Sequence, residues 1–247
     1  MIEKIIENFK QADLEREPFW YKAINGIFPE NYYNRLISDL PNINDYKPIN
    51  QTGTVSKNYP DERFVFDLTY ENINSLEKRK KQTLTELVQV FTNPLFFNVI
   101  SADFKETISD RINSFNDYEK KNIGTQNFQF NIQASLVKDF KKYKLGVHTD
   151  TTFKFLTFLF YIPKDDSLAE LGTALYKLNE NVSVDLGEKG NFHVDEKDFT
   201  LVKKIPFRPN TLLVFPRTNK SYHGVQKINV EGAERNLIQL NYYFKTI

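Results

Sequence analysis

The hydrophobic pattern in the second half of the chain is that of short strands separated by polar turns. The apolar and aromatic run 154–163 ends at a proline and is long enough for a strand buried on both faces. Residues 172–178 and 210–216 predict two further strands, the second entered through a turn at 208–210. The run 235–244 predicts the last strand. Together these patterns indicate a mainly β architecture.

The first half of the chain predicts helices and supporting strands. Residues 1–10 mix isoleucine with Glu and Lys, which is typical of an amphipathic helix and not of a secretory signal. Apolar residues spaced i, i+3, i+4 and i+7 predict a long helix that ends at Asn93-Pro94. The other predicted elements are strands over 19–24 and 63–68 and helices over 30–40 and 95–108.

Composition excludes several classes of function. The 33 basic and 32 acidic residues leave a net charge of +1, so no overall field attracts a phosphate backbone and nucleic acid is an unfavoured partner. Without cysteine, the chain has no disulfides, iron–sulfur ligands or catalytic thiols. No apolar stretch is long enough to span a membrane, so we expect a cytoplasmic protein.

Candidate chemistry centres on two of the three histidines. Side chains alternate along a strand, so His148 and Asp150 would project to one side while Thr149 points away. A second imidazole would complete the 2-His-1-carboxylate triad, which binds one face of a ferrous ion and leaves the opposite positions open. His223, in the predicted late strand 221–226, is the candidate for that third ligand.

The triplet of His193 and Asp195 is a second His-x-Asp motif, and its context argues against a metal site. It follows the glycine-rich polar stretch 187–192 and lacks a long apolar strand that would hold ligands rigidly. It also lies closer to His223, which leaves too little chain for the intervening strands. Between His148 and His223 there is room for several strands of roughly 5 to 10 residues.

Each candidate residue also has an ordinary structural interpretation. A lone His-x-Asp triplet is most often a hydrogen-bonded surface pair. Arg235, which begins the last predicted strand, could pair with Glu231 or Glu234 at the surface, and Tyr161 could belong to the core. The order of the motifs and their strand context favour the metal site over these separate interpretations.

From about residue 129 to 244 the chain resembles the 2-oxoglutarate- and Fe(II)-dependent oxygenases, in particular the prolyl-hydroxylase-like branch. The resemblance implies a double-stranded β-helix, a cupin-like jelly roll, flanked by N-terminal helices. It implies one domain over 1–247, with N-terminal helices and supporting strands in 1–125 and the jelly-roll catalytic core in 126–247. The iron ligands of the family correspond to His148, Asp150 and His223.

The resemblance also implies a pocket for the co-substrate. Arg235 matches the basic residue that grips the far carboxylate of 2-oxoglutarate, a role that suits a planar guanidinium. Tyr161 and Thr157 match further residues of that pocket. The chain departs from the family where Gly172-Thr173 replaces a glycine pair and where Lys138 stands near a frequent tyrosine. These departures leave the iron ligands intact.

The function implied by the resemblance is that of a dioxygenase. It would use Fe(II), dioxygen and 2-oxoglutarate, with ascorbate as a further cofactor that the family allows, to hydroxylate an unactivated C–H bond while forming succinate. Asp150 favours hydroxylation, because related halogenases lack this carboxylate. The substrate would be a protein or peptide side chain or a small metabolite. The alternative is a non-catalytic, metal-binding jelly roll. The sequence determines neither the substrate nor the oligomeric state.

Two local expectations concern the surroundings of this pocket. A hairpin centred near Glu231 would place Arg235 opposite Lys227, about 13 Å along the strand from His223. The polar, irregular segment 42–61 would either overhang the site as a lid or form a surface connection.

Overall fold

The computed structural model describes residues 1–53, 55, 57, 59, 61–185 and 195–246. Within these ranges the strands are β1 (Lys22–Asn25), β2 (Lys47–Pro48), β3 (Arg63–Asp67), β4 (Phe130–Phe140), β5 (Leu145–His148), β6 (Lys154–Tyr161), β7 (Thr173–Leu178), β8 (Phe199–Ile205), β9 (Thr211–Pro216), β10 (His223–Val225) and β11 (Glu234–Phe244). The α-helices are α1 (Ile2–Gln11), α2 (Glu30–Ser38), α3 (Tyr70–Asn74), α4 (Lys78–Phe91), α5 (Pro94–Asp103), α6 (Lys105–Asn113) and α7 (Asp117–Ile123).

The strands form two antiparallel sheets. The larger sheet has the order β1-β9-β6-β11-β4-β3-β2, and the smaller has the order β5-β10-β7-β8. Val137, Leu159 and Leu237 of the larger sheet share one apolar cluster with Leu175 and Ile205 of the smaller sheet. The two sheets therefore pack face to face, and the mainly β jelly roll predicted from the sequence is confirmed.

Strand β6 separates two cores. All eight of its residues are buried, as expected for the longest apolar run in this half of the chain. Alternate residues Leu156, Phe158 and Phe160 join the cluster that contains the apolar residues of the helices, whereas Leu159 and Tyr161 join the cluster between the sheets. One face of β6 is thus covered by helices, and the other faces the interior of the jelly roll.

Two predicted elements differ from the structure by more than two residues. The helix expected over 95–108 is two helices, α5 and α6, because Phe104 leaves helical geometry (φ −101°, ψ 13°) while its side chain is fully buried in the core. Burial of this aromatic side chain outweighs the local preference for one continuous helix. The strand expected over 19–24 is β1, which begins three residues later.

The expected hairpin between the last two strands is wrong. Strand β10 pairs with β5 and β7 in the smaller sheet, while β11 pairs with β4 and β6 in the larger sheet. Arg235 is therefore opposite Asp139, not Lys227. The chain between β10 and β11 crosses from one sheet to the other instead of forming a tight turn. Backbone hydrogen bonds between Ile228 and residues 142–143 hold this crossing segment in place.

The described residues of the segment 42–61 include a short strand that the sequence does not predict. This strand, β2, pairs with β3 at the edge of the larger sheet. In the described part of the chain, no helix combines the length and the apolarity needed to cross a membrane.

Candidate metal and carboxylate site

The structure brings His148, Asp150 and His223 together between the two sheets. One ligand atom from each residue lies within 4.8 Å of the others, and the residues are 7%, 7% and 5% exposed. His148 ends β5 and is the direct partner of His223, which begins β10. Asp150 lies two residues beyond the end of β5, so the prediction that both ligands come from one strand is wrong, although the structure brings the two side chains to the same cluster.

Both imidazoles are oriented by backbone carbonyls. The Nδ1 atom of His148 lies 2.8 Å from the carbonyl oxygen of Gly146, and Nδ1 of His223 lies 3.0 Å from that of Ser221. A carbonyl oxygen only accepts hydrogen bonds, so each Nδ1 carries the proton and each Nε2 is the unprotonated ring nitrogen. This arrangement is typical of histidine metal ligands.

The environment of His223 keeps its ring neutral. Burial lowers the pKa of His223, and the carboxylate of Asp150 offsets this effect only in part. The imidazole also packs against Phe215, with ring centroids 4.7 Å apart. A neutral, rigidly held imidazole is the form that binds a metal ion.

Asp150 is held through both of its carboxylate oxygens. Lys154 donates from Nζ to Oδ1 at 2.6 Å, and Thr157 donates from Oγ1 to Oδ2 at 2.6 Å. The backbone carbonyl of Asp150 accepts from Nε of the buried Arg217 at 3.1 Å. Burial alone would raise the pKa of Asp150, but the Lys154 ammonium outweighs this effect, so the pKa lies well below its ordinary value. Asp150 is therefore a carboxylate at neutral pH.

These residues fit a divalent transition metal. Two imidazole nitrogens and one carboxylate oxygen form the donor set of the facial triad, in which the remaining metal positions stay open. The Oδ2 atom of Asp150 and the Nε2 atom of His223 are 4.0 Å apart, so they do not hydrogen-bond to each other directly. The chemistry of the donors and their mutual spacing both suit an ion held among them.

Arg235 reaches the same interior from the opposite sheet. A narrow cavity of about 40 Å³ is lined by the three candidate ligands and by Arg235, among other residues. Arg235 donates from Nη1 to Asp139 Oδ2 at 2.8 Å and from Nε to the carbonyl oxygen of Leu171 at 2.7 Å. The structure thus places the predicted carboxylate-binding arginine on the cavity that contains the histidines.

A second arginine, Arg63, shares this cavity and the same carboxylate. It donates to Asp139 through Nε at 2.6 Å and Nη2 at 2.9 Å, a two-pronged ion pair. Two buried guanidinium groups therefore bind one buried carboxylate, and the group of three side chains carries an excess positive charge. An anionic ligand in the cavity would offset that charge.

The two other residues expected in the co-substrate pocket have different positions. Thr157 lines the cavity and donates to Asp150. Tyr161 is buried beside Arg235, with the guanidinium carbon 5.6 Å from its ring centroid, but its hydroxyl donates to Thr173 Oγ1 at 2.7 Å. Thr173 lines the cavity and Tyr161 does not, so Tyr161 contacts the pocket through Thr173.

A wider cleft lies beside the narrow cavity. Its volume is about 610 Å³, and both spaces are lined by His148, Asp150 and Lys154. Further walls come from the segment 42–61, through residues that include Tyr59. Cavities of roughly 300 to 1,000 Å³ are typical of small-molecule sites.

The sequence interpretation missed Arg63, Asp139 and Lys154. A recognisable signal exists for two of them, because Arg63 and Lys154 are each the first residue of a strand and are followed directly by apolar residues. A cation in that position is expensive to bury unless it is paired. The rejected histidine His193 lies outside the described residues.

Comparison with known proteins gives a structural likeness without a sequence match. No protein-family model matches the chain, and no curated protein matches it. It is similar to the structure of a prolyl hydroxylase from Trichoplax adhaerens in complex with a peptide fragment of the hypoxia inducible factor oxygen degradation domain. The TM-score is 0.52 and the identity 12%, over 98% of this chain and 88% of that chain.

A prolyl 4-hydroxylase from Phytophthora capsici is similar to a comparable degree. The TM-score is 0.51 and the identity 13%, over 98% of this chain and 64% of that chain. At such identities the similarity shows a shared fold. The chain therefore has the fold of prolyl hydroxylases.

Proposed function

We propose that this chain, which has the prolyl-hydroxylase fold, is an Fe(II)- and 2-oxoglutarate-dependent dioxygenase that hydroxylates an unactivated C–H bond. The observation that carries the proposal is one cavity lined by His148, Asp150, His223 and Arg235, which come from opposite sheets. A metal triad alone is common to many chemistries. A buried arginine on the same cavity adds a place for a carboxylate.

The residues divide into two groups by role. His148, Asp150 and His223 would hold iron, which when bound supplies the activation of dioxygen coupled to decarboxylation of 2-oxoglutarate. Arg235 would bind the far carboxylate of the co-substrate and orient it toward the triad. The apolar residues Leu159, Val225 and Leu237 line the same cavity and limit the access of water.

The cleft supplies the space for a substrate. Its walls include His148 and Asp150 of the triad and Ile49, Thr52, Val55 and Tyr59, for which we propose a role as one wall of the substrate site. The relative from Trichoplax adhaerens is bound to a peptide, and the cleft has the volume expected for a small molecule or for a few residues of a peptide. The substrate of this protein is thus a peptide side chain or a small metabolite.

An anaerobic titration tests the proposal. Fe(II)-loaded protein receives 2-oxoglutarate, and the expected result is a visible metal-to-ligand absorption band that saturates. Admission of air should then release succinate, even without a substrate. His148→Ala is the matched control, because it removes one nitrogen ligand. A wild-type protein that develops no band and forms no succinate would contradict the proposal and favour a non-catalytic metal-binding jelly roll.

A further inference from the structure

Lys154 is a buried cation in direct contact with the candidate carboxylate ligand. Its side chain is 8% exposed, and its ammonium lies 2.6 Å from Oδ1 of Asp150. Lys154 also lines both the narrow cavity and the wider cleft. A metal triad that contains only histidines and a carboxylate has no need of such a cation, so the role of Lys154 requires its own explanation.

The ion pair divides the two oxygens of Asp150 between different partners. The ammonium engages Oδ1, whereas Oδ2, which accepts a hydrogen bond from Thr157, faces His223, whose Nε2 is 4.0 Å away. A metal ion among the three ligands would therefore meet Oδ2. Lys154 keeps Oδ1 engaged and so favours binding of the metal through a single carboxylate oxygen, which leaves more metal positions open.

The same cation changes the charge of the site. Arg63, Arg235 and Lys154 contribute three positive charges around the narrow cavity, while Asp139 and Asp150 contribute two negative charges. A divalent ion adds two further positive charges in a place where water screens them poorly. A dianionic 2-oxo acid offsets these two charges and returns the net charge of the site to its value without the metal ion.

We infer that Lys154 is a positioning residue that makes metal binding depend on the dianionic co-substrate. It weakens the affinity of the empty site for a divalent ion by electrostatic repulsion, and 2-oxoglutarate removes most of this penalty. Metal and co-substrate are then coupled, each increasing the affinity for the other by the same factor. The inference rests on the proposed function, because it assumes that the triad binds a metal.

The test measures this coupling factor with Mn(II), which replaces Fe(II) and does not react with dioxygen. Calorimetry gives the Kd for Mn(II) with and without saturating 2-oxoglutarate. Two variants remove the charge: Lys154→Met, and Lys154→Gln, which retains an N–H donor for Asp150. Lys144→Met is the matched control, because Lys144 pairs with Glu196 at the surface. Circular dichroism establishes that each variant is folded.

We expect both neutral variants to bind Mn(II) alone about tenfold more tightly than wild type, and the coupling factor to fall by about tenfold. Lys144→Met should match wild type. If both neutral variants weaken Mn(II) binding equally with and without 2-oxoglutarate, Lys154 serves only to hold Asp150 and the inference is overturned. An unchanged coupling factor also overturns it. Wild-type protein that binds no Mn(II) under either condition would instead contradict the proposed function.

Discussion

His148 and His223 are direct partners across the antiparallel pair β5–β10, and their ring centroids are 4.4 Å apart. Strand register, and not sequence proximity, therefore creates the pair of nitrogen ligands. A shift of one residue in the register between β5 and β10 would turn His223 to the opposite face of its sheet. The geometry of the candidate metal site thus depends on the pairing of two short strands, of four and three residues.

The first prediction concerns the identity of the ligands. His223→Ala should weaken Mn(II) binding by at least about 100-fold, because one of three ligands is lost, and calorimetry measures the change. His193→Ala is the control, since the sequence context of His193 argues against a metal role. Equal losses in both variants would show that the ligand assignment is wrong.

The second prediction concerns the spacing of β5 and β10. A Cβ atom on Gly224 would meet the carbonyl oxygen of Leu145 at 2.7 Å, so Gly224→Ala must push the two strands apart. We expect about tenfold weaker Mn(II) binding although no ligand is altered. Gly232→Ala is the control: its Cβ has space but its φ of +67° is unfavourable, so it should lower the melting temperature without changing the Kd. Unchanged Mn(II) affinity in Gly224→Ala would contradict the prediction.

The third prediction concerns Arg235. A hydrogen bond to a charged group contributes about 1.5–3 kcal/mol, so Arg235→Met should weaken 2-oxoglutarate binding to the Mn(II)-loaded protein by roughly 10- to 100-fold. Arg235→Lys keeps the positive charge but loses the planar guanidinium, so its Kd for 2-oxoglutarate should lie between those of wild type and Arg235→Met. Arg208→Lys, at the surface beside Asp166, is the control. The assignment fails if calorimetry gives the wild-type Kd for Arg235→Met.

The fourth prediction concerns an unsatisfied polar atom. The side chain of Asn241 is buried on the wall of the cleft, and its Oδ1 has no hydrogen-bond partner among the described residues. Such an atom costs about 1–3 kcal/mol, so Asn241→Leu should raise the free energy of unfolding by about 1 kcal/mol. Asn236→Leu, which loses a hydrogen bond from Lys138, should lower it. Urea denaturation measures both, and destabilisation by Asn241→Leu would refute the prediction.

The fifth prediction concerns acid stability. Burial would raise the pKa of Glu119, but hydrogen bonds from Arg111, Thr152 and the backbone lower it below the ordinary value of 4.5. A carboxylate with a lowered pKa stabilises the fold above the unfolded pKa, and this contribution is lost as the pH falls through the lower, folded-state value. Stability should therefore decline below about pH 4.5 in wild type and decline less steeply in Glu119→Gln. Urea denaturation between pH 3 and 6 tests this, with the exposed Glu3→Gln as the control. If the free energy of unfolding falls with pH equally steeply in wild type and Glu119→Gln, the prediction is wrong.

Much of the fold follows from local patterns. Strand β6, helix α4 and strand β10, which carries His223, are each continuous segments of the chain, so the sequence predicts them. The break at Phe104 was missed because it depends on where a buried aromatic side chain fits in the core. Local propensity does not contain that information.

The local motifs of the site could be predicted from the sequence, whereas the contacts between residues of different strands could not. The motif of His148 and Asp150 is local, whereas the pairing of Arg235 with Asp139 depends on which sheet each strand joins. The hairpin prediction was wrong for this reason: adjacent strands in the sequence lie in different sheets. Arg63 was missed because it comes from a strand far earlier in the chain, and only the sheet order β11-β4-β3 brings it to the cavity.

The narrow cavity and the wider cleft share lining residues, and this affects the order in which ligands can bind. The narrow cavity that would hold the co-substrate shares His148, Asp150 and Lys154 with the wider cleft, so the two spaces adjoin at the candidate metal ligands. A substrate that binds in the cleft first would block access of the co-substrate to the narrow cavity. Under the proposed function the two molecules would then enter in a compulsory order, co-substrate before substrate, and an excess of substrate would slow turnover by trapping the protein in a dead-end complex.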